Sequence, residues 1–135
     1  MVALLLFFWI VSAAAIAQPK PRMVFAGVPS VKVTEGGSER VHEPISREQA
    51  AALKCAVSEL EGRFFWASRD NREMMRTVSG AFVTYVAVDG SGYVRAIDGP
   101  AKNAASRMSS TEAQFDYVEH LAVGLRSVTY YGRAQ

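Results

Sequence analysis

Cysteine is almost missing from this chain. Its 135 residues include a single one, Cys55. No intramolecular disulfide can form, so a small disulfide-framework fold is excluded. A zinc site built on two to four cysteines is excluded with it. Histidine is nearly as scarce, with only His42 and His120. Charge of one sign is not in excess either: 15 Lys and Arg stand against 13 Asp and Glu, a net charge of +2. That balance is too mild to argue for nucleic acid or an anionic membrane surface as a partner. The chain also lacks the phosphate-cradling G-x-x-x-x-G-K, the paired histidines of H-E-x-x-H and an S-x-x-K motif. No cofactor is implied, and nucleotide hydrolysis has no support.

No long hydrophobic run is present. The apolar stretch Val2–Val11 is ten residues long, while a membrane-spanning helix needs about 20. Small residues follow, and Ala15-Ile16-Ala17 fits the small-x-small pattern of a signal peptidase site. Residues 1–17 therefore read as a signal peptide cleaved near Ala17–Gln18, although the segment before the apolar run carries no Lys or Arg. The expected product is secreted or periplasmic, with no stable membrane insertion after cleavage. Residues 18–30, opening with QPKPR, read as a tether, since proline removes backbone donors. Residues 31–135 then form one domain, a length that can bury its own core.

Two segments carry helical periodicity. Ser46 and Gln49 stand at capping-box spacing, and Ala50, Leu53, Val57 and Leu60 fall on one face of a helix over Ser46–Leu60. Phe115, Val118, Leu121, Ala122 and Leu125 share a face of a second helix over Thr111–Arg126. Strands are expected at Arg63–Arg69 (RFFWASR), with Phe64 and Trp66 on one face and Phe65 on the other, and at Ser127–Tyr131. Ala81–Val88 and Tyr93–Ile97 flank the turn composition Asp89-Gly90-Ser91-Gly92 and read as a hairpin. The stretch Met23–Val33 reads as short edge strands, and the paired glycines of Glu35–Glu39 as a turn. The fold class expected is α+β: a mainly antiparallel sheet of about four to five strands with two packed helices.

Few residues suggest chemistry. On a helix, Asp116 and His120 share a face at four-residue spacing, and His42 could supply a third ligand or partner for a metal-dependent or hydrolytic enzyme. The same pair reads as a solvated intrahelical contact, because its face also carries Glu112, Glu119 and Arg126. Ser91 fits a turn serine, since a nucleophile elbow needs G-x-S-x-G at a strand-to-helix turn. Arg63, Arg69, Arg72 and Arg76 flank aromatics, a pattern seen in single-strand nucleic-acid binding, but Asp70 and Glu73 stand among them and export argues against that partner. Trp66 with a neighbouring tyrosine could line a groove. Cys55 reads either as a small buried group or as an exposed thiol that makes a disulfide-linked dimer. The function expected is a non-catalytic binding or interaction domain for a protein or small ligand, with the Asp116/His120/His42 enzyme as its alternative.

Overall fold

Alternation, not helical period, governs most of this chain. The computed structural model describes residues 16–97, 108–110 and 113–135. Two-thirds of the described residues are strand and 6% are helix. In order the elements are β1 (Arg22–Gly36), β2 (Glu39–Pro44), α1 (Arg47–Ala52), β3 (Cys55–Leu60), β4 (Arg63–Trp66), β5 (Arg72–Ser79), β6 (Phe82–Ala87), β7 (Gly92–Ile97), β8 (Met108–Ser110), β9 (Ala113–Phe115), β10 (Tyr117–Val123) and β11 (Arg126–Ala134). The sheet runs β11-β10-β7-β6-β5-β4-β3-β1-β2, and β11 also pairs with β1. That last pairing closes an eight-stranded antiparallel barrel, with β2 as one added strand. β8 and β9 form a separate two-stranded sheet in the connection from β7 to β10.

The α+β expectation is therefore overturned, and each helix fails for a visible reason. The capping box at Ser46 forms as expected, with Ser46 accepting from Gln49 N–H and Gln49 answering. The helix it starts ends after six residues at the C-cap Leu53. Beyond it, Cys55 and Val57 point inward and Ala56 points outward, a period of two that Val57 satisfies as well as it satisfies the helical one. Such a short helix cannot outcompete barrel pairing on propensity alone. The second helix required Gly124 in its interior. Gly124 instead takes a positive φ of 61° in the β10–β11 turn, with Leu125 fully exposed at the tip. Residues 111–112 of that reading lie outside the described residues, as do 1–15 of the signal peptide and 98–107.

The barrel closes because β1 is long and bends. Its first part, from Arg22 to Gly27, pairs with β3, and its later part pairs with β2 and β11. Register shifts between Met23 and Phe25 and between Pro29 and Val31 mark the bends, and Pro29 sits where the ladder is interrupted. β1 takes up residues 22–30 of the stretch read as a tether. The hairpin β6–β7 forms as the composition implies, with Val83 opposite Ala96 and Tyr85 opposite Val94. Strand β4 places Phe64 and Trp66 on the inner face.

The core is the barrel interior: Cys55, Val57, Trp66, Met74, Val83, Tyr85, Ala87, Val94, Ala96 and Tyr117. Tyr117 lies in a slot that only glycine permits, since a Cβ on Gly27 would come within 2.4 Å of its ring and one on Gly132 within 2.7 Å. Outward positions carry the exposed polar residues Glu73, Thr77, Arg95 and Arg133. Among the described residues no helix is long and apolar enough to cross a membrane.

Candidate functional site

Strand geometry separates the residues that the helical reading brought together. Asp116 and His120 lie four residues apart on nearly extended chain, a span of about 13 Å. Asp116 is 5% exposed and joins strand ends: its Oδ2 accepts from Ala134 N–H at 3.0 Å and its Oδ1 lies 3.6 Å from Arg133. It is not a solvated partner of His120. His120 faces outward, stacked on Tyr93 at 5.2 Å and 2.9 Å from Thr129 Oγ1. His42 occupies the same outer row, but Thr129 and Val33 stand between them. Three strand spacings put the histidines about 14 Å apart, beyond sharing one metal ion. Among the described residues no group of three His, Cys, Asp or Glu could hold a metal.

The other candidates lie inside the barrel. Trp66 is fully buried and its indole N–H donates to Glu119 Oε1 at 2.9 Å, so it lines no groove. Cys55 is also fully buried, and burial pushes its thiol far above the ordinary range, which keeps it protonated and unreactive. A disulfide to another chain would require opening the barrel. Ser91 donates its N–H and hydroxyl to Asp89 Oδ1, the geometry of a turn serine.

Two glutamates, Glu119 and Glu59, point inward on strands. Glu119 is wholly buried. Arg69 grips it with Nε at 3.1 Å and Nη2 at 2.9 Å, while stacking over Tyr130 at 5.7 Å. Burial still holds the Glu119 carboxyl above the usual carboxylate range, with Arg69 pulling the other way. This cluster ties β4, β10 and β11 together, with the Glu119 carboxylate wholly buried and Arg69 reaching in from the partly exposed turn after β4.

The second glutamate stands at the other end. Register pairing puts Arg22 opposite Glu59, Glu59 opposite Phe64, and Arg76 opposite Tyr85. Residues directly opposite share a face, so these five side chains converge on the inner rim, where the chain enters β1. They line a cavity of about 440 Å³ together with Met23 and Val24, within the range of small-molecule sites. Arg22 and Glu59 hydrogen-bond across the rim. Phe64 and Tyr85 pack at 5.6 Å with their planes tilted by 52°, and the Arg76 guanidinium lies 5.9 Å over Phe64. Among the described residues no carboxylate pairs with Arg76. The described lining offers charged groups and aromatic rings, which can bind a ligand by charge and ring contact.

The structure thus defines a closed eight-stranded antiparallel barrel, braced inside by the Arg69–Glu119 pair and open at its rim onto a basic, aromatic-floored cavity. Comparison with protein-family models, with curated proteins and with solved structures gave no match for the chain.

Proposed function

We propose that this protein is a small exported binding barrel that takes a small ligand in its open mouth. The observation that carries this reading is the rim cavity of about 440 Å³, where Arg22, Glu59 and Arg76 surround the rings of Phe64 and Tyr85. An eight-stranded barrel has an interior just wide enough to fill with side chains or to hold one small ligand. Here the side chains fill the middle and leave the mouth. Export to the periplasm or medium is supported by the sequence of residues 1–17. A barrel working in water is supported by the polar outer positions Glu73, Thr77, Arg95 and Arg133, the reverse of the apolar band that faces lipid in a membrane barrel. The enzyme alternative needs Asp116, His120 and His42 in one place, and their strand positions keep them apart.

Residue-resolved NMR with a small-molecule fragment library tests the reading. Binders should shift the amides of Val24, Phe64, Arg76 and Tyr85 together. A library that shifts no mouth residue, or that maps to another surface, would overturn it. For export, the mature protein recovered outside the cytoplasm should begin at Gln18.

A further inference from the structure

The charges of the mouth are unequal in their availability. Arg22 and Glu59 are bound to each other across β1 and β3. Arg76 has no carboxylate partner among the described residues, and it stands over the ring of Phe64. Its planar guanidinium offers a fork of N–H donors that matches a carboxylate in bidentate fashion. Beneath the fork lie the tilted rings of Phe64 and Tyr85, and Met23 and Val24 complete the wall. Among the described residues, two cations and one anion line the site, a local formal charge of +1.

We infer that the mouth selects a monoanion: a single carboxylate on a compact apolar or aromatic body. The carboxylate seats on Arg76 and the body rests on Phe64 and Tyr85. Glu59 sets the upper limit of charge. It occupies Arg22, and it would face any second negative charge brought into the rim. This inference rests on the mouth being the binding site and adds the class of ligand.

Three ligands of similar size separate the two claims: phenylacetate, its neutral amide phenylacetamide, and the dianion phenyl phosphate. Calorimetric titration should show phenylacetate binding at least tenfold more tightly than either of the others. Arg76 is exposed, so Arg76→Gln should fold normally, as its amide spectrum would verify, and should bring phenylacetate down to the level of phenylacetamide. Glu59→Gln should strengthen phenyl phosphate several-fold and leave phenylacetamide unchanged. Equal binding of phenylacetate and phenylacetamide at the mouth, or a preference that survives Arg76→Gln, overturns the anion assignment and leaves the mouth in place as a site. A Glu59→Gln protein that gains nothing toward phenyl phosphate overturns the charge limit. Failure of all three to shift any mouth amide overturns both the class of ligand and the site.

Discussion

Two arginine–glutamate pairs stand inside this barrel, and their surroundings give them opposite uses. Arg69–Glu119 is sunk in the core: the carboxylate side chain is 0% exposed and the arginine 22%. Every acceptor position matters there, and Trp66 supplies a third hydrogen bond. Arg22–Glu59 sits at the rim, with side chains 73% and 27% exposed. Water competes with each of its bonds, so the pair can exchange partners with a ligand at small cost. The same two residue types therefore make a fixed brace at one level of the barrel and an adjustable edge at another. Burial decides which.

The contrast can be attacked from either side. The largest effect is expected where the interior has no route to water. Val83 faces the barrel axis at 5% exposure, and Val83→Asp should cost more than about 4 kcal/mol, enough to leave the protein largely unfolded in a denaturant titration. A midpoint near that of the wild type would show that the barrel interior is not dry. Next comes the brace. Glu119→Ala leaves Arg69 without its counter-charge and the Trp66 N–H without an acceptor, a loss of about 3–5 kcal/mol measurable by the same titration.

Acid sharpens the comparison further. Burial raises the folded-state pKa of Glu119, so the folded protein favours the protonated carboxyl. The stability this lends is fully present below the unfolded value of about 4.3 and is lost as pH rises through the folded value. Wild type should therefore lose stability relative to Glu119→Gln as pH rises from about 4.3 through the raised folded value of Glu119. Glu73, exposed and held below the ordinary range by its hydrogen bond from Arg63, should act with the opposite sign. Its contribution is present above the unfolded value and fades as pH falls through the folded one. Thermal melts on wild type, Glu119→Gln and Glu73→Gln, run from well below to well above about pH 4.3, read both slopes. The smallest effect belongs to the rim. Glu59→Gln should change stability by less than about 1 kcal/mol, and a loss as large as that of Glu119→Ala would erase the distinction between brace and edge.

Much of the strand framework is legible in the residues themselves. Phe64, Phe65 and Trp66 alternate as their order implies, and the hairpin around Asp89–Gly92 forms as its glycines require. Asp70 and Asn71 turn the chain with φ of 56° and 50°. The two helices were the error, because Val57 and Leu121 fit a period of two and a period of 3.6 alike, and a single apolar residue cannot arbitrate between them. In the second case Gly124, and the β-branched or aromatic Tyr117, Val118 and Val123, already favoured a strand. Once β10 is a strand, Glu119 falls on the same face as Tyr117 and Leu121, and a buried acid calls for a cation such as Arg69. The mouth was harder to see. Arg22, Glu59 and Arg76 come from a stretch read as a tether, a stretch read as a helix and a stretch assigned to no element. What joins them is the pairing of β1 with β3 and the closure of β1 on β11, and neither leaves a local signature.

The claim that the barrel keeps one end for binding is tested most directly by a crystal structure of the protein with phenylacetate. Density is expected in the rim cavity, with both carboxylate oxygens on the Arg76 guanidinium, the ring against Phe64 and Tyr85, and the Arg69–Glu119 pair unmoved. Phenylacetate seated elsewhere, or in the mouth with its ring toward Arg76 and its carboxylate toward solvent, would contradict it.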